Sequence, residues 1–163
     1  AFRVQGFLTR NHAAYKAGTN SKVRTVAETR PPMMATAIGP QKFERDSGIS
    51  AQLFCDDLSV VEDNTAAEML QIVREALNNV RKHSKASRVS VTIEADKGAV
   101  QIHCEDDGSG YPFSGAYSLD ELEMLRLGPK SIKRRVRTLG GDLTIDSKPS
   151  SGTTLKIRIP DAR

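Results

Sequence analysis

The chain has 163 residues, of which 38% are hydrophobic and 27% charged, with a formal net charge of +4, as is usual for one soluble globular domain. No apolar run approaches the roughly 20 residues of a membrane-spanning helix, so we expect no membrane segment in this chain and a cytoplasmic location. Cys55 and Cys104 lie far apart and outside any CxxC or Cys/His cluster. This favours buried free thiols over a disulfide or a metal site.

The first 41 residues show no lasting helical or strand period and carry most of the excess positive charge. They hold six Lys or Arg residues against Glu28 alone, and glycines and prolines interrupt them. We interpret residues 1–41 as a linker or irregular lead-in and residues 42–163 as one domain. Because that domain is nearly neutral, DNA binding is a weak alternative, and we expect no nucleic-acid partner.

The first predicted elements are a strand and a long helix. Apolar residues alternate over residues 49–55, which indicates a strand. Thr65 followed by Glu68 forms a capping-box pattern, so we expect a helix to begin at Thr65. Apolar residues then recur at three- and four-residue spacing through about Lys82, which gives this helix a core-facing side.

The second half of the domain alternates hairpins and short helices. Irregular structure is expected after Glu105 until about Pro129. The other predicted elements are strands 88–95 and 99–105, a short helix with a Ser118/Glu121 capping box, a helix 132–139 capped by Ser131 and ended by Gly140 and Gly141, and strands 143–147 and 153–159. This order predicts an α/β (α+β) two-layer sandwich, with helices on one face of a mixed sheet.

Three polar residues form a stripe beside the apolar face of the long helix. Glu75, Asn79 and Lys82 stand at positions i, i+4 and i+7, so their side chains point the same way. A carboxylate, an amide oxygen and an ammonium in one place suit Mg2+ and phosphate. The alternative is a solvated helix face. His83 follows, and a histidine in such a place is more often structural than a ligand.

Glycines surround a carboxylate at the end of the second hairpin strand. In the pattern Asp106-x-Gly108-x-Gly110, the carboxylate can accept a hydrogen bond from an exocyclic amine such as that of adenine, and glycine lets backbone approach a ligand. The alternative is an ordinary acidic turn. The segment 152–154 is, alone, a turn that enters a strand.

These pieces together resemble the nucleotide boxes of sensor histidine kinases. Residues 72–83 read IVREALNNVRKH and resemble the N box of the subgroup with the pattern E-A-L-x-N-x-x-K-H. Residues 106–111 read DDGSGY and resemble the G1 box. Residues 128–141 are similar to the G2 region, and residues 152–155, GTTL, to the final GTT box. The resemblance covers about 120 residues.

The resemblance implies a Bergerat-type ATP-binding fold, with ATP and Mg2+ as ligands and residues 111–130 as a lid. It implies that Asn79 ligates Mg2+ and that Glu75 orders the metal and its water, which makes these two the catalytic pair. Asp106 would read adenine, with Thr154 supporting it and Gly108 and Gly110 giving room. The implied ATP-binding residues are Asn79, Lys82, His83, Asp106, Gly108, Gly110, Gly128, Ser131, Ile132, Thr153 and Thr154.

Some positions depart from the family pattern. Asp107 stands where Asn is usual, which we expect to add charge near the triphosphate. Pro129 and Ser131 interrupt the G-L-x-G pattern, so the phosphates are expected to rely on the Ser131 hydroxyl and on N–H groups at a helix start. Arg134 replaces a usual Glu.

The expected function is that of the ATP-binding catalytic part of a two-component sensor histidine kinase. It would transfer the γ-phosphoryl group to a histidine on a dimerisation domain outside this chain, which would serve a response regulator in a homodimeric parent protein. His12, His83 and His103 do not lie on a dimerisation helix. Two alternatives stay open: a non-catalytic module whose partner binding is gated by nucleotide, and an anti-sigma-factor type serine kinase of the same fold.

Overall fold

The computed structural model describes residues 37–56, 58, 61–96 and 98–160. The predicted two-layer α/β sandwich is confirmed: helices cover one face of a mixed six-stranded sheet of order β1-β2-β3-β6-β5-β4. The elements are α1 (Pro40–Ser47), β1 (Ser50–Cys55), α2 (Asp63–Asn79), a single π-helical turn (Val80–Ser84), β2 (Arg88–Asp96), β3 (Ala99–Asp106), β4 (Gly115–Ser118), α3 (Leu119–Met124), α4 (Lys130–Thr138), β5 (Asp142–Ser147) and β6 (Thr153–Pro160).

Strand pairing brings the ends of distant segments together. β1 runs parallel to β2, and the other neighbours are antiparallel. In the β3–β6 pair, Asp106 lies directly opposite Thr153. The start of the last strand therefore meets the end of the second hairpin strand, at the end of the central strands that lies beside the C-terminal end of α2.

The core lies between the sheet and the helices α2 and α4. Strand residues alternate between this core and the opposite, exposed face, as the period of two requires. His103 is on the exposed face. Residues with almost no exposed surface are Met69, Ile72, Val73, Ile132 and Val136 from the helices and Val91, Ile93, Ile102, Leu143, Ile145 and Ile159 from the strands.

Two helix starts differ from the sequence prediction. The predicted capping box at Thr65 is wrong, because α2 begins at Asp63 and its N-cap residue is Glu62. The Glu68 side chain instead forms an ion pair with Arg135, with 2.6 Å between Oε2 and Nη1. Ser131 does not cap α4, which begins one residue earlier, at Lys130. In both cases tertiary contacts take the side chain that the local pattern assigned to a cap.

Two elements were not predicted at all. α1 begins at Pro40, before the predicted domain start at residue 42, and its first-turn proline follows Gly39 in a left-handed conformation. β4 lies within the predicted irregular segment and pairs with β5 as an edge strand. The predicted division at 41/42 stays a prediction, because residues 1–36 lie outside the described part. No helix in that described part is long and apolar enough to cross a membrane.

Candidate nucleotide site

A cavity of about 390 Å³ lies at the meeting point of the sequence motifs. It is bounded by the end of α2, the ends of β3 and β6 and the segments around residues 110–112 and 128–129. The residues that line it are Ala76, Asn79, Val80, His83, Ser84, Cys104, Asp106, Gly110, Tyr111, Pro112, Gly128, Pro129, Thr153 and Leu155.

Backbone hydrogen bonds tie three of these segments to one another. The Ser84 carbonyl, at the end of the π-helical turn, accepts the Ser109 N–H at 2.6 Å, and the Ser109 carbonyl accepts the Ser150 N–H at 2.7 Å. A Cβ at Gly108 would overlap the Ser84 carbonyl oxygen. Gly108 is therefore required for the close approach of the loop after β3 to the π-helical turn at Ser84. This is a packing role, in addition to any space that Gly108 leaves for a ligand.

Asp106 is a buried carboxyl group on the cavity wall, with 8% of its surface exposed. Its Oδ1 accepts the Gly108 N–H at 2.9 Å. Burial raises the pKa of Asp106, the Gly108 hydrogen bond opposes this, and the neighbouring Asp107 and Glu105 raise the pKa further. Within the part of the chain that the structure describes, no hydrogen bond reaches its Oδ2, which leaves one acceptor for a ligand.

Thr153, rather than Thr154, stands on the cavity side. The two threonines alternate on β6, so Thr153 is buried opposite Asp106 and Thr154 faces the other side of the sheet. The Thr153 hydroxyl lies 3.2 Å from the Ser147 Oγ, which also accepts the Tyr111 N–H at 2.8 Å. Thr153 therefore lines the cavity opposite Asp106, and Thr154 does not.

The stripe on α2 is split between the cavity and its surroundings. Asn79 and His83 line the cavity, whereas Glu75 and Lys82 do not. Glu75 lies one turn before Asn79 and accepts the Ser131 hydroxyl at 2.7 Å. Lys82 is exposed. The Ser131 hydroxyl thus contacts α2, and Ser131 does not line the cavity.

The G2 segment contributes backbone and proline to the wall. Gly128 has a positive φ of 70° and lines the cavity together with Pro129. Ile132, which was also expected at the site, is fully buried in the core. Its contribution is to anchor α4 beneath the segment.

Asp107 does not line the cavity, and its carboxylate is bound on the other side of the loop. Its Oδ1 accepts the N–H groups of Ser87 and Arg88, both at 2.8 Å, and its Oδ2 pairs with the Arg88 side chain at 3.2 Å. These contacts lower its pKa, with the Arg88 N–H as the largest cause. Asp107 therefore holds the start of β2 on the far side of the loop.

Aromatic rings lead from the cavity into the expected lid. Tyr111 stacks on Phe113 with ring centroids 5.3 Å apart, and Phe113 meets Tyr117 of β4 edge to face at 5.0 Å. Burial is the main reason that the pKa of Tyr111 rises to about 12. These ring contacts pack the start of the expected lid against the edge strand β4.

Sequence reasoning missed most of the apolar lining, although periodicity held the signal. Cys104 and Leu155 lie two residues from Asp106 and Thr153 on the same strand faces. Ala76 flanks Asn79 on the α2 face that points inward. Burial raises the pKa of the Cys104 thiol to about 12, so this wall behaves as an apolar surface. The other lining residues outside the expected set are Val80, Ser84, Tyr111, Pro112 and Pro129.

A family model described as histidine kinase-, DNA gyrase B- and HSP90-like ATPase matches residues 64–163. The chain belongs to this family. A chain of this family is an ATP-binding domain, and the matched range contains every residue that lines the cavity.

Two relatives of this chain are named as histidine kinases of bacteria. The chain is 39% identical to the histidine-protein kinase/phosphatase DegS of Brevibacillus brevis over 56% of its own length and 22% of the relative's. It is 31% identical to the sensor histidine kinase LiaS of Bacillus subtilis, over 73% of its length and 31% of that protein's. It therefore spans less than a third of either relative.

Solved structures share the fold. The histidine kinase domain of the Erythrobacter litoralis EL346 blue-light activated kinase superposes with a TM-score of 0.63 at 21% identity, covering 79% of this chain and 61% of that one. The mycobacterial sensor histidine kinase MprB gives a TM-score of 0.56 at 21% identity, covering 78% of this chain and 93% of that one. At these identities the likeness establishes architecture.

The donor set around Asn79 suits a magnesium ion shared with a ligand. Among the described residues, no three His, Cys, Asp or Glu side chains gather as a metal cluster. Asn79 offers an amide oxygen to the cavity, and the Glu75 carboxylate stands one helical turn away. Mg2+ takes one or two protein oxygens, with phosphates and water as its other ligands, and this pair fits that pattern.

Proposed function

We propose that this chain is the catalytic, ATP-binding part of a sensor histidine kinase of the two-component type. The observation that carries the proposal is a single cavity lined at one place by the buried Asp106 carboxyl and at another by Asn79. The first supplies an acceptor for a base and the second an oxygen for a cation. The family membership and the relatives' names support the same reading.

The adenine end of the cavity is defined by Asp106. Its Oδ2 accepts a hydrogen bond from the exocyclic amine, while Oδ1 stays with Gly108. Val80 and Leu155 give this end apolar walls. Such walls suit the flat, largely apolar faces of a base. Thr153 lies opposite Asp106 in the β3–β6 register, and its hydroxyl is 3.2 Å from the Ser147 Oγ of β5.

The phosphate end lies toward the C-terminal turn of α2. Asn79 and Glu75 would hold Mg2+ there, the latter through water, and the ion neutralises phosphate charge when bound. His83, on the cavity rim, and Lys82, on the exposed side of the same turn, supply further positive or hydrogen-bonding groups. The backbone at Gly128 closes the opposite wall.

Transfer of the γ-phosphoryl group is a matter of position and charge in this arrangement. The chain holds the nucleotide, and the nucleophile is a histidine of a dimerisation domain that approaches the open side of the cavity. We infer that the parent protein is a homodimer, that a response regulator takes the phosphoryl group from that histidine, and that this domain lies in the cytoplasm.

Titration with ATP in the presence and absence of Mg2+ tests the binding half of the proposal. Affinity is expected to increase with Mg2+ in the wild type, and Asn79→Ala should lose that increase. Asn78→Ala is the matched control, because Asn78 accepts a hydrogen bond from Arg81 at 3.0 Å and does not line the cavity. An equal Mg2+ effect in both variants would remove Asn79 from the metal site.

Transfer of label from γ-labelled ATP tests the catalytic half. A supplied histidine-bearing dimerisation domain should acquire acid-labile label. Phosphoserine on a partner would instead show a serine kinase of the same fold. ATP-dependent partner binding without any transfer would show a nucleotide-gated interaction module.

A further inference from the structure

Lys133 of α4 is a buried lysine that does not line the cavity and has no role assigned so far. Only 7% of its surface is exposed. Its Nζ donates to the Leu122 carbonyl at 3.0 Å and to the Leu127 carbonyl at 2.6 Å. An ammonium group is buried only where it is well partnered, and both partners here belong to the end of the lid helix α3.

That helix end has a defined but disfavoured geometry. The Leu127 N–H bonds to the Leu122 carbonyl and the Arg126 N–H to the Glu123 carbonyl, which together form a Schellman motif. The residue that must be left-handed in this motif is Arg126, with φ of 56°. A side chain is disfavoured in that conformation, and glycine usually occupies it.

The chain contains the same motif in its ordinary form, which allows a comparison. At the end of α4 the Gly141 N–H bonds to the Val136 carbonyl and the Gly140 N–H to the Arg137 carbonyl, with Gly140 left-handed at φ of 64°. Glycine adopts this conformation without strain. No side chain donates to these two carbonyls among the described residues, whereas the strained end of α3 has a buried ammonium group.

The held segment leads directly into the cavity wall. Leu127 is followed by Gly128 and Pro129, which line the cavity. The other polar contacts between α3 and α4 are ion pairs of Arg137 with Asp120 and Glu123; these side chains are largely exposed, so they contribute little. Burial of Leu119 and Leu122 packs α3 against the core, and the two hydrogen bonds from Lys133 fix the end of this helix and the segment that leads to the cavity wall.

We propose that Lys133 is a positioning residue for the nucleotide: its ammonium group holds the strained end of the lid helix so that Gly128 and Pro129 are in place before ATP binds. This inference rests on the proposed function for its ligand.

Hydrogen exchange at the Leu127 amide, measured in the full chain without nucleotide, tests the positioning directly. In Lys133→Met, exchange at Leu127 should rise about tenfold or more relative to the core amide of Ile102, because hydrogen bonds to a charged donor are lost. Lys156→Met is the matched control, since Lys156 is exposed on the opposite face of the sheet. Unchanged exchange at Leu127 in Lys133→Met would overturn the proposal.

A second substitution is expected to change exchange at Leu127 in the opposite direction. It keeps the test decisive if Lys133→Met does not fold. Arg126→Gly removes the left-handed strain, so it should slow exchange at Leu127 when Lys133 is present and restore protection when added to Lys133→Met. No slowing in the single variant would overturn the role assigned to the strain.

The ATP dissociation constant separates this proposal from the proposed function. It should rise several-fold in Lys133→Met, stay unchanged in Lys156→Met and recover in the double variant with Arg126→Gly. Equal affinity in Lys133→Met and the control would overturn the positioning role. If the wild type binds no ATP, the proposed function fails, while the exchange data still decide whether Lys133 holds the helix end.

Discussion

Two adjacent carboxylates in this chain have opposite environments and opposite tasks. Asp106 is buried on the cavity wall with one hydrogen bond from Gly108, and its pKa is raised chiefly by burial. Asp107 lies in solvent and satisfies the N–H groups at residues 87 and 88, which lowers its pKa. One carboxylate is therefore free to serve a ligand and the other serves the fold.

Asp106→Asn should weaken ATP binding strongly and leave the fold intact. The amide turns a donor toward the adenine amine, and a hydrogen bond to a charged group contributes about 1.5 to 3 kcal/mol, so we expect a dissociation constant raised roughly 10- to 100-fold. Calorimetric titration measures it. Asp107→Asn is the control, because Asp107 lies outside the cavity; an equal loss in both variants would contradict the assignment of Asp106.

The same pair predicts two opposite dependences of stability on pH. A carboxyl whose pKa is higher in the folded than in the unfolded protein costs stability once ionised, and this cost appears as pH rises above about 3.9. Asp106→Asn should therefore be at least as stable as the wild type at pH 7, with an advantage that shrinks toward pH 4.

For Asp107, whose pKa is lowered, the sign is reversed. Its ionised form adds stability above the unfolded pKa of about 3.9, and that stability disappears as pH falls through the lower folded value. Asp107→Asn should be less stable than the wild type at pH 7 and equal to it in strong acid. Urea unfolding of both variants across this range measures the two trends, and parallel trends would refute the assigned environments.

At the scale of elements, tight turns decide how the motifs meet. Gly152 has φ of 88°, and a Cβ there would overlap the Asp106 carbonyl oxygen. This glycine lets the start of β6 pass against the end of β3. Gly152 is therefore required for the packing of β6 against β3, whether or not a nucleotide is bound.

Gly152→Ala should be strongly destabilising, and Gly98→Ala shows how much of the effect is conformational. Gly98 also has a positive φ, 71°, but nothing lies within 4 Å of an added Cβ. We expect about 1 to 2 kcal/mol for the conformation alone at Gly98, and about 1 to 3 kcal/mol more at Gly152 for the overlap. Chemical denaturation measures both; equal losses would mean that backbone at residue 152 moves aside freely.

At the scale of the whole molecule, the positions of the histidines argue against self-phosphorylation. His103 lies on the exposed sheet face, away from the cavity. His83 lines the cavity but belongs to the turn that continues α2, where its backbone cannot move into line with a γ-phosphate. His12 lies outside the residues that the structure describes.

The isolated chain should therefore bind ATP and acquire no acid-labile label. Incubation with γ-labelled ATP and Mg2+ measures this, and a dimerisation domain that carries its own histidine should restore transfer to that domain. Label on the isolated chain that disappears in His12→Gln would show an acceptor in the N-terminal segment. Label that disappears in His83→Gln would show that the cavity rim can reach the phosphate.

The amino-acid sequence by itself determined the sandwich and most strands, because alternation and three- to four-residue spacing report which face of an element is buried. It also predicted the helix ends at Ser118 and Gly140, where the signal is local. Tertiary structure alone decided the rest. Strand register placed Thr153, and not Thr154, on the cavity side. The packing of α4 against α2 brought the Ser131 hydroxyl to Glu75. The burial of Lys133 brought its ammonium group to the Leu122 carbonyl of α3. Each of these choices depends on which distant segment lies alongside, and local propensity carries no information about that.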